Sequence, residues 1–388
     1  MTVKLPSESL AADRASHAAA AHELARQLAR TAVARDREGG LPKVERDLVR
    51  ASGLLKLTVP TRHGGAGQPL SAMLEVTRDL ARVDPSLAHV FAFHHLMLAS
   101  VRLYGSEAQW TAAYAETVTD NLFWGNALNP KDPRTSLVEA DGRLSLRGTK
   151  SFCSGAGDSD RLLVSGHDAS RRLVVAAIPT SRRGVRVLGD WDAIGQRQTD
   201  SGTVSFDDVT IHAREILRTP GPLGSVFASL RSCIAQSILV HIYLGIAEGA
   251  FAEARAAFAG TGKRPEPLPA LRAGELYVAL AGADALTERA RLALDAAWAL
   301  GDGLSTAQRG ETAIAIAIAK TAATQAGLAV TTRIFELLGA RAAQRESALD
   351  RYFRNLRTHT LHDPVDEKLR EVGAWALAGE PPTPGFYG

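Results

Sequence analysis

The sequence predicts a mainly α-helical protein with a small β domain at its centre, because the hydrophobic period changes twice along its 388 residues. Ala- and Leu-rich stretches with helical spacing fill the first third of the chain. An alternating pattern of period two, punctuated by Gly, Asp and Pro, occupies the middle. Longer and more apolar helical stretches return after about residue 225. The expected organisation is an N-terminal helical domain over 1–121, a β-barrel-like middle domain over 122–222, and a C-terminal four-helix bundle with a tail over 223–388.

In the first domain, apolar residues recur three and four apart over Leu10–Arg35, Leu41–Ser52, Ser71–Val83 and Pro85–Tyr104, which reads as helix. The Gly-rich stretch Arg62–Pro69 reads as a loop between them. Strands are expected at Leu144–Phe152, Arg161–Ser165, Leu173–Ile178, Val185–Leu188 and Thr203–Phe206, with Asp141-Gly142 as a hairpin turn ahead of the first. The bundle helices are expected at Leu230–Ala259, Leu271–Leu300 and Ser305–Leu338. Ser305 with Gln308 resembles a capping box, and Gly339 is placed to stop the last of them. Ala-rich, mostly apolar helices of this length pack in bundles and against copies of themselves, so a homotetramer is expected.

Composition narrows the function classes. Hydrophobic residues make up 45% and charged residues 22%, ordinary for a soluble globular protein, and a net charge of +3 is too small to point to nucleic acid or a membrane surface. No apolar run reaches the roughly 18 residues that a membrane span needs. The N-terminus lacks the apolar core of a secretory signal. Cys153 and Cys233 stand far apart without a partner motif, so no metal site or disulfide framework is expected, and the cytoplasm is the default compartment. Near the C-terminus, Arg351, Arg354 and Arg357 recur at helical spacing. His359 and His362 follow, and Asp363-Pro364 then stops the helix. A cationic helix face feeding a histidine-bearing turn suits a phosphate-bearing cofactor beside proton-transfer chemistry.

Three motifs in order carry a family resemblance. They are Gly148-Thr-Lys-Ser-Phe-Cys-Ser-Gly-Ala156, then Trp191-Asp-Ala-Ile-Gly-Gln-Arg-Gln-Thr-Asp-Ser-Gly202 with Val204–Val209, and then His359-Thr-Leu-His-Asp-Pro364. With the domain order, they resemble the acyl-CoA dehydrogenase family over essentially the whole chain, and most of all its dibenzothiophene monooxygenase-like, sulfur-scavenging branch. In a dehydrogenase a Glu removes the substrate α-proton, either from a Tyr-Glu-Gly-Thr turn or from a Leu-x-x-Glu-Arg helix. Here the turn reads Thr358–His362, and Leu230 of Phe227–Arg231 stands at the alternative Glu position. Desaturation of an acyl-CoA by an atypical base is therefore the lesser alternative, and a non-catalytic helical scaffold is a further one.

The resemblance implies a monooxygenase that uses reduced flavin and dioxygen, through a flavin C4a-hydroperoxide, on a small organosulfur or aromatic heterocyclic substrate. It implies that Ser154 meets the flavin ring, that His362 holds or delivers a proton, and that Asn126 or Asn129 orients oxygen or the flavin edge. Trp124 and Trp191 would supply flat apolar surface. His94 and His95 lie on the helix expected to line the substrate side, where at most one of two neighbouring positions faces the pocket, and His359 is a further candidate. Arg264 (of the Lys263-Arg264 pair), Arg333 and Arg354 are candidates for the cofactor phosphate. A plain structural use is open for each: Ser154 and the two asparagines as turn caps, Trp191 as an anchor, the arginines as solvated charges. Cys153 is expected on the opposite strand face from Ser154, packed rather than reactive. No Gly-x-Gly-x-x-Gly follows a strand, so a separate flavin reductase is expected to deliver reduced flavin. Gly339-Ala-Arg341 lacks the family's second glycine, which favours FMN, with FAD as the alternative.

Overall fold

A computed structural model describes residues 6–386 apart from Asp141 and Lys263. The N-terminal domain is built from α1 (Pro6–Ala29), α2 (Ala32–Glu38), α3 (Lys43–Ala51), α4 (Leu70–Ala81), α5 (Pro85–Tyr104) and α6 (Glu107–Thr119). The single helix expected over Leu10–Arg35 is two. The chain turns at Arg30-Thr31 so that Arg35 enters the interior and pairs with Asp84 at 2.6 Å and Glu45 at 3.0 Å. Helix α6 was not anticipated, although Ser106 and Gln109 form a reciprocal capping box at its start. Asp84 caps α5 by accepting from the Leu87 N–H at 3.0 Å. Almost every residue of α5 is buried, so its sequence shows no polar stripe.

The middle domain is one curled sheet of β1 (Trp124–Ala127), β2 (Thr135–Ala140), β3 (Arg143–Lys150), β4 (Arg161–His167), β5 (Leu173–Pro179), β6 (Val185–Val187) and β7 (Val204–Ile211). The strand order is β1-β4-β2-β3-β7-β6, with β5 on the other edge of β4. Strands β2 and β3 pair antiparallel from Ala140↔Arg143; Asp141 of the expected turn lies outside the described residues. A bulge between Leu146 and Gly148 curls the sheet. Gly148 sits at φ +114°, where a Cβ would lie 2.0 Å from the Arg134 carbonyl oxygen. Strand β3 ends at Lys150 rather than Phe152, because Phe152 takes a left-handed φ of +58° that no strand continues through.

The C-terminal domain packs α7 (Leu230–Ala259), α8 (Pro267–Leu300) and α9 (Thr306–Arg333) with α10 (Phe335–Leu338), α11 (Asp350–Thr360) and α12 (Val365–Ala378). Against expectation, two helices, α7 and Thr306–Leu338, are long and apolar enough to cross a membrane. However, 94% of the most apolar window of α7 is buried inside the chain, as befits the central helix of a bundle. The three domains meet where the first turns of α5, the loops 151–159 and 191–202, and α11 converge. Gly195 marks this junction, since a Cβ there would lie 2.1 Å from the Arg354 carbonyl oxygen.

Candidate active site

Ser154 sits in the turn that follows β3, not on a strand. Its carbonyl oxygen accepts from the Asn126 N–H of β1 at 3.0 Å. The next turn is clamped by Arg46 of α3, which is fully buried. Its guanidinium donates to the Gly155 and Asp158 carbonyls at 3.1 and 2.9 Å and lies 4.3 Å over the Phe123 ring. Burial lowers Arg46 to about 10 against the opposing pull of Asp158, so the guanidinium stays charged at neutral pH. Cys153 turns into the sheet core, donates to the Lys150 carbonyl at 3.2 Å, and is pushed by burial up to about 12. Such a thiol is inert.

The hydroxyls around Ser154 have a fixed direction. Ser201 donates its hydroxyl proton to Thr199 Oγ1 at 2.7 Å, and Thr199 donates to the Gln196 carbonyl at 3.0 Å. Each hydroxyl has one proton. In the 2.8 Å contact between Ser154 Oγ and Ser201 Oγ, Ser154 must therefore be the donor. That leaves the remaining lone pairs of Ser154 Oγ to accept from another N–H. Beside this turn, Phe152 is 57% exposed and its ring lies 6.2 Å from Trp191. The Trp191 indole N–H donates to the Gln196 carbonyl at 2.8 Å, which fixes the ring.

On the other side lie two histidines. The rings of His89 (α5) and His359 (α11) are 4.9 Å apart and both are buried. Their four ring nitrogens have no hydrogen-bond partner among the described residues. Phe93 stacks on His89 at 3.9 Å. Burial, and then the charge of His362, holds His359 down to about 3, and burial holds His89 well below the usual range, so both are neutral at pH 7. A Cβ at Gly155 would lie 3.3 Å from Val90, which brings the Ser154 turn and this pair to the same end of α5. His362 is exposed at the rim. The dense surroundings lower it and Asp363 opposes them, while the cations Lys320, Lys131 and Arg231 also lower it.

The turn that carries His359 and His362 is anchored from the bundle. Tyr243 donates its hydroxyl to the His359 carbonyl at 2.9 Å. Lys320 donates to Asp363 Oδ2 at 2.6 Å and to its carbonyl at 3.2 Å. Gln236 joins this knot, donating to Asp363 Oδ2 at 2.8 Å and accepting from Lys320 at 2.6 Å. Sequence reading missed His89, Arg46, Tyr243, Gln236 and Lys320, and took Asp363 only as a helix stop. A histidine on an otherwise apolar helix and a lysine amid the Ala and Ile of α9 were the available signals.

Several expected residues lie elsewhere. His94 donates from Nε2 to the Leu55 carbonyl at 2.8 Å, and its Nδ1 accepts from the Trp124 N–H at 3.1 Å. His95 contacts the Leu54 carbonyl and Thr58 Oγ1, both at 3.1 Å. Both rings are spent on structure, whereas His89, about one turn earlier, keeps both ring nitrogens without a partner among the described residues. Trp124 is packed in the helical core with its indole N–H on Thr117 Oγ1 at 2.9 Å, and is not a flavin surface. Asn126 uses Oδ1 to accept from the Leu128 N–H at 3.0 Å, which leaves its amide nitrogen as a donor beside Ser154. Asn129 donates to the Ser151 carbonyl at 3.3 Å and supports the same loop. Two of the three arginines of the expected cationic face of α11 are paired: Arg351 with Glu253 at 2.9 Å, and Arg354 with Asp36 at 2.6 Å and Asp350 at 2.8 Å. Arg333 pairs with Glu275 at 2.6 Å. Arg264 is exposed between α7 and α8, beyond the end of α7 at Ala259, which at the rise of an α-helix is about 24 Å from Tyr243. One chain does not bring Arg264 and Arg333 to Ser154; Lys263 lies outside the described residues.

A helical domain, a curled sheet and a helical bundle meeting at a serine turn define the architecture of an acyl-CoA dehydrogenase-type flavoprotein. The N-terminal, middle and C-terminal domain models of acyl-CoA dehydrogenases match residues 11–118, 126–209 and 237–367, and the chain belongs to this family, in its monooxygenase branch. It is 48% identical over 382 residues to a probable FMNH2-dependent monooxygenase, SfnC, of Pseudomonas putida, covering 95% of this chain and 96% of that protein. Methanesulfinate monooxygenase MsuC of Pseudomonas fluorescens superposes with a TM-score of 0.93 at 49% identity, covering 95% of this chain and 98% of the other. Dibenzothiophene monooxygenase TdsC of a Paenibacillus species gives 0.90 at 39% identity, covering 96% and 99%, and has been solved with FMN bound. The resemblance read from the three motifs, including the preference for FMN, is borne out.

Proposed function

We propose that this protein is the oxygenase component of a two-component, reduced-FMN-dependent monooxygenase acting on a small organosulfur compound or aromatic heterocycle. The carrying observation is the neutral His89–His359 pair, with its ring nitrogens unpartnered, where a dehydrogenase needs a carboxylate. The one carboxylate of that turn, Asp363, is committed to Lys320. The buried unpartnered nitrogens, the acceptor lone pair of Ser154 and the exposed Phe152–Trp191 pair fit the reactive edge of a reduced flavin. When bound, reduced FMN supplies the electrons that split dioxygen, one atom going to the substrate and one to water.

The chain's own groups divide the remaining work. Ser154 accepts from the N5–H of the reduced ring, and the Asn126 amide donates beside it. His89 and His359, neutral, hydrogen-bond to oxygen and substrate in a space from which their packing excludes water. His362 takes up and returns a proton at the rim. A separate flavin reductase delivers the reduced cofactor. Self-assembly to a homotetramer is supported by the exposed Leu268, Leu271, Tyr277, Val278 and Leu292 of α8, and a neighbouring copy would bring the Arg264 and Arg333 end of its bundle to the phosphate. We place the protein in the cytoplasm.

The test is to mix the protein anaerobically with FMNH2, add oxygen with methanesulfinate, dibenzothiophene or indole in turn, and follow flavin reoxidation and product. Delayed reoxidation with an oxygenated product is expected. Reoxidation at the rate of free FMNH2 overturns the reading, and bleaching of bound oxidised FAD by an acyl-CoA would support a dehydrogenase instead. Ser154→Ala removes a hydrogen bond worth roughly 1–3 kcal/mol and should cost about one to two decades in turnover with folding intact. Cys153→Ala should leave product yield alone and lower only stability, by a lost core contact. The reverse pattern would mean that the two side chains have been given each other's roles.

A further inference from the structure

The Lys320–Asp363 knot has features that packing does not require. Lys320 is 1% exposed on α9, amid residues such as Ile316, Ala319 and Ala323, and Asp363 is 6% exposed. Burying such a pair costs desolvation on both sides, and well-packed apolar residues in its place are often neutral or stabilising. Its hydrogen bonds are also concentrated. The three ammonium protons of Lys320 are directed at Asp363 Oδ2, the Asp363 carbonyl and Gln236 Oε1, and Gln236 in turn donates to Asp363. All of this is spent on the residue that directly follows His362. With Tyr243 on the His359 carbonyl, both shoulders of the turn are fixed from the bundle.

Resting on the monooxygenase reading above, we propose that Lys320 is a positioning residue for the histidine turn: it holds Asp363, and through Asp363 sets where His362 presents its ring and its proton. The electrostatics agree with the geometry. Burial lowers Lys320 and Asp363 opposes this. Burial works to raise Asp363, yet Lys320, Lys368 and Gln236 hold it below its ordinary range, in keeping with the 2.6 Å contact between ammonium and carboxylate. The charged and titratable groups facing His362 are Asp363 on its own turn, Lys320 from α9, Arg231 from α7 and Lys131 from the β1–β2 connection, with His359 and His89 behind it. Lys368 and Glu371 of α12, which pair with each other at 3.0 Å, face the knot from its far side. Asp363 favours the imidazolium of His362 and Lys320 disfavours it, so the two halves of the knot act on one proton in opposite directions.

The experiment labels full-length protein with diethyl pyrocarbonate across a pH series and reads His362 in the tryptic peptide 358–368, in which fragment ions separate it from His359. Lys320→Met should move the His362 labelling midpoint up, and Asp363→Asn should move it down, each on the order of half a pH unit. Loosening of the turn alone would move both variants the same way. Lys320→Gln, which keeps a donor without the charge, carries the same upward expectation should the Met variant not fold. In a second arm, the double variant Lys320→Met/Asp363→Leu should regain thermal stability while product per FMNH2 oxidised stays at least about 10-fold down. Midpoints that do not move, or that move together, overturn the proposal, as does coupling that returns with stability. The labelling arm needs no flavin. A wild-type protein that makes no oxygenated product would therefore sink the monooxygenase reading and leave the positioning result standing.

Discussion

Replacing His359 with Phe should leave the protein folded and more stable, by on the order of 1 kcal/mol, while cutting oxygenated product per reduced flavin by about 100-fold or more. The gain follows from burial. Both His359 ring nitrogens lie inside the protein with no partner among the described residues, and a buried polar group without a partner carries its desolvation penalty uncompensated. Phe keeps the flat ring against His89 at 4.9 Å and Tyr243 at 6.1 Å and removes the penalty. The loss follows from the same nitrogens. They stay neutral at working pH and are available only to what enters the site, so hydrogen peroxide should appear where product was. His89→Phe should show the same inverse pattern. His362→Ala differs, because His362 is exposed: stability should hardly change, flavin should still bind, and coupling should fall. Urea unfolding set beside product and peroxide yields decides the matter. A His359→Phe protein that loses stability and keeps its coupling would make His359 a packing residue and remove the main support for the proposed site.

The contrast between His359 and the α5 histidines also shows what the sequence could reveal. Domain order, the Ser154 turn and the His359–His362 turn were legible because residue types in short motifs carried them. The α5 histidine with unpartnered ring nitrogens, His89, was not legible. That helix is buried on all sides, so its periodicity names no face, and the conspicuous His94-His95 doublet drew attention from the isolated His89. The doublet serves carbonyls at Leu54 and Leu55, partners that no local pattern reveals. Trp124 misled for a related reason: β1 is buried at every position and shows no alternation to orient its side chains. Arg351 and Arg354 of α11 read as part of a free cationic face because counter-charges reach them from distant segments, Glu253 of α7 and Asp36 of α2. Local sequence gives the charge on a helix, and only the tertiary fold says whether that charge is already spent.

Acidification from pH 7 to pH 5 should remove most of the stability of this fold. Five histidines, His89, His94, His95, His241 and His359, are buried, and burial is the largest cause lowering each of them. His94 and His241 are held down to about 4 and His359 to about 3, while His89 and His95 lie well below the usual range. In the unfolded chain each returns to about 6.5. Between pH 6.5 and about 4 the unfolded chain therefore binds protons that the native protein refuses, and stability falls as the pH falls. The contribution is complete above 6.5. Below it, each of His94, His241 and His359 costs about 1.4 kcal/mol per pH unit, so at pH 5 the three together approach about 6 kcal/mol, and His89 and His95 act in the same direction. That is comparable with the whole stability of a typical domain, roughly 5–15 kcal/mol. Asp363, held below its ordinary range, is lost only at lower pH and does not contribute in this window. Urea titrations between pH 7.5 and 5 should give a free energy that is nearly flat above pH 7 and drops steeply below 6.5. His241→Leu gives the internal control. His241 lies in α7 and bonds the Ser237 carbonyl of its own helix, at 2.8 Å, so the variant should shed about one proton from the acid slope without touching the proposed site. A free energy that stays level from pH 7 to 5 would mean that these rings find solvent or a partner in the native protein, and the neutral roles given to His89 and His359 would fall with it.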